Sequence, residues 1–229
     1  MKILSWNCRG NFRNKYQHIS REHADIYVIQ ECENPEKYLA EFQGFLHNYI
    51  WVGENDNKGL AVFATSSNKL EKLIWKGTDL RYYLPIRVND SFDLIAVWSH
   101  PPYIEGYFDW QKLNIKKFNE DTIIIGDFNS NAQWNHKHGN KNHTEVVNQL
   151  AEIGLFSAYH YLEMQSMGAE KAKTFYQYGH LDKGHHIDYC FLSPDNLDDF
   201  VILSPKDWLH LSDHVPIYAQ LYVQRPSIF

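Results

Sequence analysis

Short apolar runs, each closed by a polar turn, recur along the chain. KILSWN (2–7), IYVIQE (26–31), GLAVFAT (59–65), LPIRV (84–88), FDLIAVWS (92–99) and TIIIGDF (122–128) have the length and composition of strands. So do HIDYCFL (186–192), DFVILS (199–204) and PIYAQLYV (216–223). They are rich in Val, Ile, Phe and Tyr and bounded by Gly, Asn, Asp or Pro. Several are apolar on both faces, as strands are when covered on both sides.

Helical spacing is rarer. Asn14 to His23 follows the first strand, and Pro35 to Phe42 opens with Asn34 as N-cap and Pro35 at the first helical position. Glu105 to Phe118 carries an imperfect stripe of Tyr107, Phe108, Leu113, Ile115 and Phe118. Asn142 to Ile153 is the cleanest, with Val146, Val147, Leu150 and Ile153 on one face and Gly154 as the stop. QWNHKHGNKNH (133–143) is polar and reads as a loop. Many strands with few helices predict an α+β layered domain, two sheets packed together with helices outside. No repeat, low-complexity tract or linker interrupts the chain, so its 229 residues read as a single domain, 1–229.

Composition changes this picture little. A chain of this length buries enough core to fold without disulfide or structural metal. The three cysteines, Cys8, Cys32 and Cys190, are odd in number and form no CxxC pair, so buried free thiols in a reducing compartment are expected. The start, MKILSWNCRG, lacks the apolar stretch of a secretory leader, and no run is long enough to span a bilayer; the expected location is cytoplasmic. The formal net charge of -6 is not that of a protein held on nucleic acid by charge alone, although a carboxylate cluster that binds metal would itself add negative charge.

The candidate chemistry lies at strand ends. Asn7 closes KILSWN, Glu31 closes IYVIQE, and Asp127 and Asn129 follow TIIIG. Asp188 lies inside HIDYCFL, where a lone carboxylate is costly to bury, and Asp213 and His214 precede the last strand in SDHVPI. Singly, each has an ordinary explanation as a turn or cap residue. Together they supply hard oxygen ligands, an amide for a phosphate oxygen, and a histidine beside a carboxylate.

In this order WNCRG, QE, GDFN, IDY and SDH resemble the signature of the endonuclease/exonuclease/phosphatase (DNase I-like) superfamily, spread from residue 7 to residue 214. The resemblance implies a four-layer αββα sandwich, two packed mixed β-sheets flanked by helices, with the site in a cleft at one edge. It implies that Glu31, supported by Asn7 and extended by Asp213, ligates Mg2+ or Mn2+. It further implies that Asp127 orients or deprotonates the attacking water and Asn129 holds a phosphate oxygen. Asp188 would fix the ring of His214, which stabilises the growing charge. His100, in AVWSHPPY, stands where relatives place a His or Tyr against the phosphate, with Tyr103 as its rival.

Other chemistries fit less well. The chain has 13 histidines, including His136, His138, His185 and His186, yet no HExxH or Cys/His finger, and oxygen ligands favour magnesium or manganese over zinc. GxSxG and P-loop motifs are absent, and a glycosidase carboxylate pair would leave Asn7, Asn129 and His214 without a role.

Within the family, abasic-site endonucleases usually carry a Lys in a QETK-like stretch, where this chain has QECE with Glu33. Secreted DNases use a leader and disulfides. Inositol-phosphate phosphatases usually follow GDxN with an aromatic-Arg pair, where Ser130 and Asn131 stand here. The chain resembles the compact bacterial branch, and a monomeric nuclease acting on DNA or RNA is expected. Lys137 and Lys141 could meet a backbone, and exposed aromatics could stack on bases. A small-molecule or lipid phosphatase, and a non-catalytic binding module, are the alternatives.

Overall fold

The structure is a computed structural model that describes residues 1–42, 45, 48–77 and 82–222. Its strands are β1 (Lys2–Asn7), β2 (Ile26–Cys32), β3 (Asn48–Asn55), β4 (Lys58–Ala64), β5 (Leu70–Lys72), β6 (Tyr83–Val88) and β7 (Phe92–Trp98). They continue with β8 (Thr122–Asp127), β9 (Phe156–Ser157), β10 (Phe175–Tyr176), β11 (Gly184–His185), β12 (Asp188–Leu192), β13 (Leu197–Ile202) and β14 (Ile217–Leu221). The α-helices are α1 (Tyr16–Ile19), α2 (Ile104–Asn114), α3 (His143–Ala151), α4 (Ala158–Glu163) and α5 (Pro205–Trp208).

Two six-stranded sheets form, in the orders β13-β14-β1-β2-β4-β3 and β5-β6-β7-β8-β12-β9. Each is mixed in the same way: one parallel pair at its centre, β1 with β2 and β7 with β8, and antiparallel neighbours outward. The sandwich follows from alternation. In β2, Ile26 and Val28 point into the core between the sheets, while Tyr27 and Ile29 point to the opposite face. In β8, Ile123 and Ile125 face the inter-sheet core and Ile124 faces outward under α2 and α3. Burying such a side chain on either face contributes roughly 1.5–3 kcal/mol, so a one-residue slip would be costly.

The outer layers are apolar stripes laid on these faces. Tyr107 and Trp110 of α2 with Val146 and Leu150 of α3 cover the second sheet. Phe12, Ile19, Phe42 and Trp208 cover the first. The fold is thus the four-layer arrangement expected.

Several elements differ from the sequence reading. β3 and β5 were not anticipated: NYIWVGEN is only partly buried along its length, and β5 has three residues. Pro35–Phe42 shortens to one 3-10 turn, Pro35–Tyr38, although Asn34 caps it as expected, accepting from Glu36 N. Asn14–His23 breaks into α1 between 3-10 turns at Phe12–Asn14 and Ser20–Glu22. The 133–143 segment is not a loop throughout. A 3-10 helix, Ala132–Lys137, starts where Asn131 accepts from Gln133 N, and α3 starts at His143 with Asn142 as its cap. The expected end of the last strand at residue 223 lies outside the described residues.

Candidate active site

The parallel pairs decide where the polar residues go. Carboxyl ends of β1, β2, β7 and β8 open on one edge of the sandwich, and the antiparallel partners β12 and β14 begin there. Gly126 makes the crucial approach possible. Its φ is 149°, and a Cβ there would collide with the Val97 carbonyl, so β8 can lie against β7 only with glycine before Asp127.

Asp127 is fully buried and is the hub. Its Oδ1 accepts from Asn129 N at 2.8 Å, and its Oδ2 accepts from Asn129 Nδ2 at 3.1 Å and from Asn7 Nδ2 at 3.0 Å. The Asn7 bond joins the two sheets; Asn7 Nδ2 also lies 3.4 Å from Glu31 Oε1. Asn129 spends its second N–H on the Ser99 carbonyl at 3.0 Å, so its amide anchors Asp127 to the end of β7. Directly across the β8–β12 ladder stands Asp188. Two acids on one rung repel unless something positive lies between them. His214 supplies it, with Nδ1 2.9 Å from Asp188 Oδ2 and Nε2 4.0 Å from Asp127 Oδ2.

The electrostatics follow from this packing. Burial, with the Asp188 charge adding to it, pushes Asp127 up to about 7 against the pull of His214. Burial alone would lower His214, but the Asp188 and Asp127 charges outweigh it and push the ring up to about 9. At neutral pH a poised carboxylate therefore faces a charged imidazole.

Not every expected residue joins this network. Glu31 touches it only through Asn7, and its Oε2 is held by Lys58 Nζ at 2.5 Å. Asp213 stands on the rim, its carboxylate 3.6 Å from Arg9 Nε. His100 is stacked on Tyr82 at 4.0 Å and edge-on to Trp98 at 4.0 Å. Burial lowers its basicity, while Glu31 and Glu54 raise it. Tyr103 is the exposed cap residue of α2. Lys141 is paired with Asp109 at 2.7 Å.

Sequence reasoning missed the supports. Thr174 Oγ1 accepts from the N–H groups of both Ile187 and Asp188 at 3.0 Å, fixing where β12 begins. Ser212 Oγ donates to the Asn7 carbonyl at 2.7 Å, and Trp6 Nε1 donates to the His214 carbonyl at 3.0 Å. Ser212 and Trp6 were in view as letters of SDH and WNCRG. Thr174 had no signal beyond its place before FY.

Among the described residues, two groups could hold a cation. Asp127, Asp188 and His214 offer atoms within 4.8 Å of one another. A His214 that is charged at neutral pH has no lone pair to give, so this set is better suited to moving protons. Glu31 and Asn7 offer hard oxygens, and the carboxylate already attracts a cation in Lys58, which fits a hard divalent ion.

Residues 108–218 match the family model described as Endonuclease-reverse transcriptase. An AP endonuclease from Archaeoglobus fulgidus superposes with a TM-score of 0.77 at 16% identity, over 97% of this chain and 100% of that one. The fold is therefore the DNase I-like one. Other structures with the DNase I-like fold agree with it over the whole length. A variant of the 3' phosphatase NExo from Neisseria, bound to product DNA hairpin, gives 0.72 at 19% identity over 97% of this chain and 99% of that one. The endonuclease domain of TRAS1, a telomere-specific non-LTR retrotransposon, gives 0.69 at 16% over 98% and 99%. No curated protein matches the chain.

Proposed function

We propose that this chain is a member of the endonuclease/exonuclease/phosphatase superfamily and a divalent-metal-dependent phosphodiesterase, a nuclease acting on DNA. The observation that carries the reading is Asp127: a buried carboxylate near neutrality, hydrogen-bonded to Asn7 and Asn129 and facing a charged His214. Support for DNA comes from relatives named for AP endonuclease and 3' phosphatase chemistry, the latter bound to a DNA hairpin.

Glu31 and Asn7, with Asp213 at the rim, would hold Mg2+ or Mn2+, which when bound neutralises phosphate oxygens. Asp127, ionised above about pH 7, takes a proton from the attacking water. His214, charged below about pH 9, donates from Nε2 to a non-bridging phosphate oxygen, and Asp188 on Nδ1 fixes the ring. Asn129 keeps Asp127 aimed, and His100, which lies in the field of Glu31, is the residue we assign to the phosphate in preference to Tyr103. We read the chain as one domain over 1–229 and as a cytoplasmic monomer. Its three cysteines are buried free thiols, and no helix among the described residues is long and apolar enough to cross a membrane.

The test is a panel of single- and double-stranded DNA, RNA, mononucleotides and phospholipids with Mg2+, Mn2+ or chelator. The expected result is chelator-sensitive DNA cleavage, with kcat/KM rising through about pH 7 and falling through about pH 9. Glu31→Ala should lower it roughly 100-fold or more. Phosphate release from 3'-phosphorylated DNA without chain cutting would move the reading to a phosphatase. A folded protein inert towards every substrate with either metal would overturn it.

A further inference from the structure

Glu31 is presented by an irregular piece of backbone. The β2–β4 ladder slips between Gln30 and Cys32, which leaves Glu31 out of register at φ 58°. Such a bulge re-aims a side chain at some cost in strain. The opposing strand is built to meet it. β4 starts at Lys58, and Gly59 pairs with Cys32. A Cβ on Gly59 would collide with the Val52 carbonyl and lie 2.5 Å from the Trp51 ring, so the strand can begin here only with glycine. Trp51 Nε1 donates to the Cys32 carbonyl at 3.0 Å and pins the same corner. Bulge, glycine and tryptophan together hold Lys58 opposite Glu31, at 2.5 Å.

The exposures of this pair are unequal. The Glu31 side chain is 19% exposed, while that of Lys58 is 55% exposed on a flexible stem. A divalent ion using Glu31 would compete with the ammonium for the same carboxylate. Once released, the ammonium stays within its own stem's reach of any phosphate held at that ion. Beside it, the His100 Nε2 is buried with no hydrogen-bond partner among the described residues, and the ring lies in the field of both Glu31 and Lys58.

We propose that Lys58 is an exchangeable counter-ion: it neutralises Glu31 in the metal-free site and transfers to a substrate phosphate oxygen when a divalent cation takes its place. The proposal rests on the reading of Glu31 as a ligand. It makes metal binding and phosphate binding respond to Lys58 with opposite signs, which a merely structural lysine would not do.

The experiment uses the full chain with Lys58→Met and Lys58→Arg. Mn2+ alone is titrated by electron paramagnetic resonance of the free ion. A fluorescent DNA oligonucleotide is then titrated at saturating Mn2+ in a His214→Gln background, which prevents turnover. Lys58→Met should bind Mn2+ about two- to five-fold more tightly, because an exposed ion pair of this kind no longer competes. Its DNA affinity should fall about ten-fold through loss of a charge-assisted bond, and Lys58→Arg should restore it. Unchanged or weaker Mn2+ binding in Lys58→Met, or unchanged DNA affinity, overturns the role of Lys58 alone. Absence of Mn2+ binding in the unsubstituted chain overturns the reading of Glu31 and this proposal with it.

Discussion

Two histidine–carboxylate groups lie on either side of the short segment 186–188, and their imidazoles are held in opposite protonation states. At the sheet edge, one histidine, His214, faces two acids, Asp188 and Asp127, and is held charged. Behind it, two buried histidines, His143 and His186, and the partly buried His160 gather around one acid. Glu170 Oε1 accepts from His160 Nε2 at 3.1 Å, Asn131 Nδ2 at 3.1 Å and Gly168 N at 2.8 Å. Those bonds outweigh the effect of burial and hold Glu170 down at about 2. Burial, by contrast, drives His186 down to about 4 and His143 to about 3, against the weaker pull of Glu170. The same residue types thus give a charged imidazole, His214, in one place and neutral imidazoles, His143 and His186, in the other. What differs is the number of acids per imidazole.

The contrast can be broken first at its active end. His214→Gln keeps an N–H for Asp188 but removes the charge, and kcat should fall about 1000-fold. Steady-state DNA cleavage in Mg2+ measures it; a loss below ten-fold would remove His214 from the chemistry. At the rear, Glu170→Gln should leave kcat within a few-fold yet lower the unfolding free energy at pH 7 by about 2–3 kcal/mol, through weakened charge-assisted bonds. Because Glu170 is acidified on folding, its contribution is full above the ordinary carboxylate range and fades as pH falls towards 2. Urea titrations of the two proteins should therefore converge in acid.

The smallest effect is the most discriminating. The unfolded chain protonates His143 below its ordinary 6.5, whereas the folded chain resists until about 3, so wild-type stability drains away as pH falls through that window. His143→Leu should be close to neutral at pH 7 and more stable than wild type by about 2 kcal/mol at pH 4.5. An equal difference at both pH values would mean that His143 keeps its ordinary basicity inside the fold.

The front group was legible in the sequence because its members end or begin strands whose apolar runs are themselves visible: IYVIQE, TIIIGDF, HIDYCFL. The rear group was not. His143, His160, Glu170 and His186 come from separate segments, united by packing around Tyr189 and by the His160–Glu170 bond. His186 is one of 13 histidines, and no metal-ligand spacing singles it out. Lys58 was equally silent, since its position depends on the slipped register at Glu31. β3 failed for a related reason: an edge strand with no fully buried residue carries no strong alternation. The 3-10 helix at Ala132–Lys137 was hidden because polar composition says loop, while one asparagine side chain suffices to start a turn.

Asp127 and Asp188 share a rung of the β8–β12 ladder, so the proposed base and the group that steadies the imidazole are clamped by the same pair of strands. Thermal breathing cannot part them without opening that ladder. Alignment of the reacting groups is in this sense inherited from sheet pairing, and catalytic competence and local amide protection at this rung should vanish together on warming.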